Sequence, residues 1–347
     1  MSNASRPRTV LVCLVAGAAA TLATWSHDGS VLAQGPAARA AAPAPARRYV
    51  PARTPWGDPD LQGVFTNSDE SQTPMERPQE LTGRRLEDIT PEELKRLNDA
   101  RNEARAEADR QRWELRSPLH WFENMNFKNS RAWLVVDPAD GRIPPLTAEA
   151  RRRNAARAEA RKGRGEADSY EDRSYFDRCI SRGVPGSMMP AIYGNSYDIT
   201  QSPDAVSIRY EMIHEARIIP LNGGPHASAS IRSYMGDARG HFEGDTLVVE
   251  TTNFNDRLPY RGSSDRLRLV ERFTPVAPNV VEWSVTFDDP ATWERPWTFA
   301  MNLAKVDEAQ QPFEYACHEG NYAMFNLLSI ARQEEAAAAR APRAPAK

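Results

Sequence analysis

The fold is decided by residues 267–289, "LRLVERFTPVAPNVVEWSVTFDD", in which two alternating runs flank a turn. In the second run, every other residue from Val281 to Val285 is apolar, and the residues between them are polar. Side chains alternate between the two faces of a strand, so this pattern predicts one buried and one exposed face. Pro275 to Asn279 supplies the turn chemistry between the runs. The stretch is therefore predicted to form an antiparallel hairpin.

The neighbouring sequence shows the same pattern of strand-like runs separated by turns. Residues 241–254, "HFEGDTLVVETTNF", place a turn at Glu243-Gly244-Asp245 before a β-branched run. Further strand-like runs are "DLQGVFTN" (60–67), "RAWLVVDPADGRIPPL" (131–146), "DAVSIRYEMIHEARIIPL" (204–221), "WTFAMNLAKV" (297–306) and "PFEYACHE" (312–319). Short strands joined by hairpins form a meander that either closes into a barrel or stacks into a sandwich to protect its edges. We predict a mainly-β fold, an antiparallel β-barrel with helical insertions.

Two helical insertions are predicted, at about 90–115 and 147–163. Thr90 and Thr147 are good N-caps, Pro91 suits the first helical position, and Gly163 can end the second helix. The second helix is rich in arginine, which can indicate a polyanion partner. Glutamates are mixed with these arginines and the chain is acidic overall, so a solvated outer face is favoured.

Residues 1–33 have the pattern of a secretory signal peptide. Arg6 and Arg8 precede an apolar run from Val10 to Trp25, and Val31-Leu32-Ala33 offers a cleavage site. The run is short for a bilayer crossing and no stop-transfer pattern follows it. The sequence thus predicts no membrane span, and a periplasmic or secreted protein exported by a cleavable Sec-type signal.

Composition divides the remaining chain. Residues 34–55 are predicted to be a disordered Ala/Pro-rich linker, 56–332 a single β-barrel domain, and 333–347 a disordered tail. The formal charge is −3 for the 347 residues. Residues 1–33 carry two arginines and one aspartate, so the charge without them is −4. An acidic chain of this kind argues against nucleic acid or an anionic membrane surface as a partner.

Cysteine usage fits an oxidising compartment. Cys13 leaves with the signal, and Cys179 and Cys317 remain as a pair that is predicted to form one disulfide. Such a bridge closes a loop of about 140 residues and contributes roughly 5 kcal/mol in the chain-entropy model. The alternative is a free nucleophilic thiol at Cys317, which would need protection from oxidation.

Three stretches together resemble an uncharacterised family of secreted bacterial proteins with a lipocalin-like, calycin-type β-barrel. They are "PWGDPDLQGVFTN" (55–67), "YMGDARGHFEGDTLVVETTNF" (234–254) and "YACHEGNY" (315–322). The first contains the Gly-x-aromatic shape of a lipocalin opening strand, with Phe65 where those proteins usually carry Trp. The resemblance spans Trp56 to about Arg332. It implies export and one lipocalin-like domain, and it brings no catalytic residue.

His214 is the first candidate for chemistry. Strand alternation predicts that it shares an inward face with Tyr210 and Met212, whereas Glu215 and Arg217 face outward or towards the rim. An inward histidine is either a satisfied core residue or, in a ligand cavity, a general base.

His318 and Glu319 form the second candidate, directly after Cys317 in "CHEGNY". In the structural interpretation, a strand ends here, the disulfide fixes it, and Asn321 caps a short closing helix. In the functional interpretation, His318 or Glu319 lines the cavity mouth beside His214.

The polar loop "GDARGHFEGD" (236–245) is either turn chemistry or a binding loop. The candidate ligand-binding residues are Tyr210, Met212, His226, Arg239 and His241. The sequence has no His-x-His, His-Glu-x-x-His or Cys-x-x-Cys spacing. Hence we predict no cofactor or metal site. Zinc is the minority alternative, because His214, His226, His241 and His318 with Glu215 or Glu319 could converge only through the fold.

Three functions stay open. The first is binding of a small, partly apolar or anionic molecule in the barrel cavity by an exported protein. The second is a cofactor-independent lyase, isomerase or hydrolase with His214 and His318 as acid and base and Arg217 or Arg239 holding an anionic group. The third is a cell-envelope interaction protein. An interior histidine beside another titratable group would favour the enzyme. An apolar cavity would favour the binding protein. A filled barrel with an apolar patch on its exterior would favour the interaction protein.

Overall fold

The computed structural model describes residues 49–111, 128–191, 193–306 and 312–340. The strands in this part of the chain are β1 (Gly63–Thr66), β2 (Val135–Asp137), β3 (Ser196–Gln201), β4 (Ala205–Tyr210), β5 (Ala216–Pro220), β6 (Asp237–Glu243), β7 (Thr246–Thr252), β8 (Arg268–Ala277), β9 (Val280–Asp288) and β10 (Trp297–Lys305). The α-helices are α1 (Pro91–Gln111), α2 (Ala148–Ala160) and α3 (Tyr322–Arg340).

The strands form one antiparallel sheet that curls into a nearly closed barrel. Its order is β5-β4-β3-β1-β10-β9-β8-β7-β6, and β2 adds to β10. Burial alternates strictly along β9 and along most of β8, so one face of each strand is inside. The predicted mainly-β fold, an antiparallel lipocalin-like barrel, is confirmed.

The odd number of strands in this order determines how the barrel closes. Nine strands paired in antiparallel fashion leave the two edge strands, β5 and β6, pointing in the same direction. Parallel neighbours need a connection of about a dozen residues or more, and residues 221–236 make this return. In the described part of the chain no ladder of hydrogen bonds joins β5 to β6. Side chains close the seam: a Cβ at Gly240 would lie 2.7 Å from Ile219 Cγ2 and 3.0 Å from Leu221 Cδ2.

Aromatic rings occupy the barrel interior beside β8, β9 and β10. Phe287 stacks on Trp297 with 4.2 Å between ring centroids, and Trp293 packs edge-on against both. Trp283 packs between Phe273 and Phe299. All these rings are at most 3% exposed. The middle of the barrel is therefore filled at these strands, where the sequence predicted a ligand cavity.

The helices lie outside the sheet. In α1 the Thr90 hydroxyl accepts a hydrogen bond from Glu93 N–H, and in α2 the Thr147 hydroxyl accepts one from Ala150 N–H, as their N-cap positions predicted. Helix α3 continues to Arg340, so residues 333–340 of the predicted disordered tail are helical. Of the helices in the described ranges, none is long and apolar enough to cross a membrane.

A tight turn divides the run that the sequence predicted to be one alternating strand. Ile213 and His214 both adopt left-handed backbone conformations, with φ of 61° and 59°, between β4 and β5. Such conformations are rare for residues with a β-carbon. The turn shifts the alternation by one residue, so Arg217 points inward and Ile218 is 59% exposed. The predicted inward face of His214 and outward face of Arg217 are thus reversed.

Arg217 enters the core as half of a buried ion pair. Its Nη1 and Nη2 donate to the two carboxylate oxygens of Glu271, at 2.5 and 3.1 Å. Trp283 Nε1 donates to the same carboxylate at 3.1 Å. Burial alone would lower the pKa of Arg217, but the Glu271 charge outweighs it and the pKa is raised. Arg217 Nε has no partner, so the pair is charge-neutral but incompletely hydrogen-bonded.

Side chains pack against Gly240 where β5 and β6 meet. We therefore predict that a methyl group added at Gly240 destabilises the barrel. Gly240→Ala places a Cβ against the rigid, fully buried Ile219, so we expect a loss of about 1–3 kcal/mol in the free energy of unfolding. Gly320→Ala is the matched control, because a Cβ there meets nothing within 4 Å. Urea denaturation measures both variants. Equal stabilities would show that the seam is not closed by this contact.

The ion pair predicts strong coupling between its partners. Removing one partner, as in Glu271→Leu, strands the other charge in the core and should cost about 3–5 kcal/mol. The double variant Arg217→Met/Glu271→Leu removes both charges, so we expect it to unfold at a higher denaturant concentration than the single variant. A double variant less stable than Glu271→Leu would contradict this account.

Candidate functional site

The candidate site lies at one end of the barrel. Antiparallel alternation places the first residues of β3, β5, β6, β8 and β10 at the same end, which we call the upper end. Two elements reach it: residues 175–195, which lead into β3, and the short 3₁₀ turn Tyr260–Gly262 before β8. Tyr260 stacks on Phe287 of the interior at 5.4 Å between centroids. The site therefore covers the top of the aromatic core.

Arg182 is the central charged group of this site. Its guanidinium is partly buried, and Nη2 donates to the Met189 carbonyl oxygen at 3.3 Å. The same guanidinium lies 5.5 Å from the Phe176 ring centre. Among the described residues no carboxylate comes within 4.0 Å of it, the limit for an ion pair. Burial lowers the pKa of Arg182, and nearby tyrosines and Glu215 act in the opposite direction. Arg182 is a cation held without a direct counter-charge.

Two tyrosines, Tyr193 and Tyr260, lie close enough to this cation to raise its pKa, and Tyr315 contacts the first of them. Tyr193 and Tyr315 contact each other through their hydroxyl oxygens at 3.2 Å, with ring centroids 5.9 Å apart. Burial raises the pKa of Tyr315, and its contact with Tyr193 adds to the effect. Burial also raises the pKa of Tyr260. Tyr260 and Tyr315 therefore stay protonated at neutral pH, and a phenol hydroxyl can donate a hydrogen bond.

Glu215 lies below Arg182 without pairing to its guanidinium. One carboxylate oxygen accepts from the backbone N–H of Arg182 at 3.4 Å and from the Ser187 hydroxyl at 3.2 Å. Glu215 thus fixes the backbone of the Arg182 segment while the guanidinium itself remains unneutralised. We call the set Arg182, Glu215, Tyr193, Tyr260 and Tyr315 the Arg182 cluster.

The predicted disulfide is confirmed and holds two walls of this cluster together. Cys179 and Cys317 are bonded, with 5.7 Å between their Cα atoms. Arg182 is three residues from one cysteine and Tyr315 is two residues from the other. Asn321 adds hydrogen bonds from its side chain to Asp177 O, at 2.9 Å, and to Cys179 Sγ, at 3.3 Å. The bridge therefore sets the position of Tyr315 relative to Arg182.

The histidines predicted as acid and base lie on the surface. His214 is exposed on the β4–β5 turn, and His318 and Glu319 are exposed in the turn after Cys317. Neither imidazole has a side-chain hydrogen bond in the described part of the chain. The predicted cap is present, since Asn321 Oδ1 accepts from Met324 N–H at 3.3 Å. These side chains consequently do not line a shared interior cavity.

Two candidate ligand-binding residues lie in the packed core. Tyr210 and Met212 are each 1% exposed. Tyr210 packs edge-on against Tyr197, and burial raises its pKa. The buried Arg217 is neutralised by Glu271 and has no charge left for an anionic ligand. Among the predicted catalytic residues, Glu215 alone belongs to the Arg182 cluster.

The remaining candidates contact carboxylates on the outside of the barrel. His226 Nδ1 lies 2.8 Å from Asp237 Oδ2, and its Nε2 lies 3.3 Å from Glu250 Oε1. Arg239 pairs with Asp237 at 3.0 Å. His241 pairs with Glu243 at 3.1 Å and is exposed. His226 thus fastens the return segment 221–236 to β6 and β7.

The described residues contain no group of three or more His, Cys, Asp and Glu side chains that could hold a metal ion. All four histidines of the zinc alternative are described, and they occupy separate places: the β4–β5 turn, the return segment, β6 and the turn before α3.

A cleft of about 610 Å³ lies outside the barrel and competes as a ligand site. Its walls are mainly Pro138, Pro144, Pro145 and Ile143, with Arg142 and Arg295 at the edges. Arg142 pairs with Glu76 at 3.5 Å, and Arg295 with Asp137 at 3.8 Å. Both cations have partners, and so this cleft lacks the unneutralised charge that distinguishes the Arg182 cluster.

The sequence did not lead us to Glu271 in the interior or to Arg182 and its neighbouring tyrosines in the candidate site. The sequence did contain a signal for Glu271. It lies two residues from Leu269 and two from Phe273, so strand alternation places it on the same inward face of β8. Arg182 and Tyr193 lie in irregular backbone, where no periodicity indicates a direction. Only the fold brings Tyr260 and Tyr315 to them.

The His226 contacts predict a loss of stability in acid. Burial alone would raise the pKa values of Asp237 and Glu250, but hydrogen bonds from His226, Ala227 N–H and Arg268 outweigh it, and both pKa values are lowered. Their stabilisation is present above the unfolded pKa values, about 3.9 and 4.3, and is lost as pH falls below them. We expect Asp237→Asn to unfold with a shallower acid dependence than the natural protein, measured by urea titration at several pH values.

Glu319→Gln is the control for this acid limb, because Glu319 is exposed and has no side-chain partner in the described residues. It should follow the natural protein at every pH. An unchanged acid dependence in Asp237→Asn would show that Asp237 contributes nothing to the loss of stability in acid.

Comparison with known proteins adds little to this picture. No protein-family model matches the chain, and no curated protein matches it. Among solved structures, the crystal structure of a mutant of the fluorescent protein UnaG matches 38% of this chain and 86% of that one, at 12% identity and a TM-score of 0.22. A match of that size carries no inference about a ligand. The barrel assignment rests on the strand order and register described above.

Proposed function

We propose that this protein is an exported β-barrel that binds a small molecule at its upper end, and that the ligand joins an acidic group to an apolar or aromatic body. The observation that carries the proposal is Arg182, a partly buried cation with no carboxylate in ion-pair range among the described residues. A cation held in this way costs desolvation energy unless a counter-charge arrives.

The chemistry of the cluster favours an anionic group. A guanidinium presents a planar fork of donors that fits carboxylate, sulfonate or phosphate. One of its nitrogens, Nη2, donates a hydrogen bond to the Met189 carbonyl oxygen. The other two nitrogens do not belong to the buried polar atoms that lack a hydrogen-bond partner. The hydroxyls of Tyr260 and Tyr315, whose pKa values are raised by burial, can supply further donors to the same ligand.

The surroundings favour an apolar body on the same ligand. Tyr260 continues the stack formed by Phe287 and Trp297, so one face of its ring covers the aromatic core. Phe176 lies beside the guanidinium on the other side. Aromatic walls with few polar groups are typical of small-molecule sites. Because the interior is filled at β8–β10, we place the ligand at the barrel end instead of its centre.

Export is part of the same proposal. A disulfide between Cys179 and Cys317 is typical of an oxidising compartment, and the signal-like pattern of residues 1–33 agrees with it. The enzyme alternative finds no support in the cluster, which contains no histidine.

The test uses two dyes that share a ring system. Anilinonaphthalene sulfonate is anionic, and N-phenylnaphthylamine is its neutral counterpart. We expect the purified protein to bind the sulfonate more tightly, and Arg182→Met to weaken that binding by about 10- to 100-fold, the worth of one charge-assisted hydrogen-bond set of roughly 1.5–3 kcal/mol. Affinity for the neutral dye should change little. Fluorescence titration measures all four affinities.

Arg178→Met is the matched control. Arg178 lies in the same segment, but its guanidinium stacks over Tyr170 and Tyr175 at 5.2 Å from each ring centre. This variant should bind both dyes as the natural protein does. Equal binding of the two dyes by the natural protein, or equal losses in both variants, would refute the Arg182 site. Native mass spectrometry of the purified protein would then identify any co-purified acid directly.

A further inference from the structure

Two tyrosines of the Arg182 cluster are placed for a reaction that ligand binding does not use. Tyr193 and Tyr315 are 122 residues apart in the sequence, and their hydroxyl oxygens lie 3.2 Å from each other. Their ring centroids are 5.9 Å apart, and the ring planes are inclined by 33°. This separation falls within the roughly 4.5–7 Å of direct aromatic contact, so the rings lie side by side instead of meeting only at the hydroxyls.

The contact brings together the atoms of a phenol that react after oxidation. Removal of one electron and one proton from tyrosine leaves a radical that is shared between the oxygen and the two ring carbons beside it. In Tyr193 and Tyr315 the oxygens are in contact and the rings lie side by side, so the carbons next to the hydroxyls are neighbours. Two such radicals combine by forming a carbon–carbon bond.

Both rings are partly exposed, and the backbone on each side is held in place. The side chain of Asn195 closes the loop around Tyr193, because it accepts from Ala191 N–H at 2.7 Å and donates to the Ala191 carbonyl oxygen at 2.9 Å. Tyr315 is two residues from Cys317 of the disulfide. The two rings are therefore accessible to an oxidant and are kept beside each other.

Other tyrosine pairs in the described residues lack this combination of features. Tyr197 and Tyr210 meet edge-on and are each 1% exposed, so both are shielded from solvent. Tyr175 and Tyr234 are partly exposed, with 5.3 Å between ring centroids and an angle of 50° between planes. In the described part of the chain their hydroxyls share no hydrogen bond. Ring contact, hydroxyl contact and exposure thus coincide at the pair in the Arg182 cluster.

We propose that Tyr193 and Tyr315 form an oxidative cross-linking site, at which peroxide joins the two rings as dityrosine. Each tyrosine loses one electron and one proton, and the new bond links the two ring carbons beside the hydroxyls. The hydrogens on these carbons then move to the oxygens and restore both hydroxyls. Hydrogen peroxide takes up the two electrons and two protons and becomes two molecules of water, with a haem peroxidase carrying the electrons one at a time.

The cross-link is a second covalent tie that differs chemically from the disulfide. The disulfide joins residues 138 positions apart and can be opened by thiolate exchange. The dityrosine joins residues 122 positions apart by a carbon–carbon bond, which thiols do not break. Because the disulfide already closes a similar loop, the second tie restricts the unfolded chain little further. What it adds is resistance of the Tyr315 segment to release by reduction.

Peroxidase treatment of the purified full-length protein tests the site. The protein is kept dilute to suppress coupling between molecules, treated with limiting hydrogen peroxide, and then reduced and digested with trypsin. We expect dityrosine fluorescence and one linked pair of peptides, residues 183–209 joined to residues 306–332, with the summed mass less two hydrogen atoms. Fragmentation should assign the bond to Tyr193 and Tyr315, and its survival under reduction distinguishes it from the disulfide.

Three phenylalanine variants identify the reacting rings. Tyr193→Phe and Tyr315→Phe should each lower the yield of dityrosine at least tenfold, because phenylalanine has no hydroxyl to oxidise. Tyr322→Phe is the control, since Tyr322 lies on the same tryptic peptide as Tyr315 and is 73% exposed. If exposure alone decided the reaction, Tyr322 would be a preferred partner. We expect its replacement to leave the yield within twofold.

A bond through Tyr322, or one between Tyr175 and Tyr234, would overturn the proposal. It would also be overturned if the natural protein formed no dityrosine under conditions that couple free tyrosine. The cross-link is measured without a ligand, so its absence would leave the proposed binding of an acidic molecule at Arg182 unaffected.

Discussion

Closure of an odd-stranded antiparallel barrel is the constraint on which the rest of this structure depends. Because β5 and β6 run in the same direction, no hairpin can join them and their edges carry no ladder in the described residues. The chain instead returns through residues 221–236, and the seam is packed by side chains around Gly240. The contacts of His226 with Asp237 and Glu250 matter here, because they fix this return segment to β6 and β7.

What fills the barrel follows from which residues point inward. Aromatic rings on β8, β9 and β10 occupy much of the interior, and the Arg217–Glu271 pair crosses it from β5 to β8. A neutral, well-contacted pair specifies how the strands meet but leaves no charge for a ligand. Arg182, which has no ion-pair partner among the described residues, lies at the upper end, where irregular backbone covers the aromatic core. The candidate chemistry is therefore displaced from the barrel centre to its rim.

One covalent bond connects the segment that carries Arg182 with the segment that leads into α3. The Cys179–Cys317 bridge has the Arg182 segment on one side, and Tyr315 and the start of α3 on the other. Without it, Tyr315 and the helix would be attached to the barrel mainly by hydrogen bonds from Asn321 and Arg332. The bridge thus organises the proposed ligand site and fixes the start of α3 from the same point.

Alternating polarity in β8 and β9, the threonine caps of α1 and α2, and the pairing of two cysteines were all determined by the sequence itself, because each depends on local spacing or on composition. The left-handed turn at Ile213 and His214 has no such local signal, and it reversed the directions of His214 and Arg217. Arg182, Tyr193, Tyr260 and Tyr315 come from separate segments. Only tertiary packing brings their side chains together, so the site was decided by the fold.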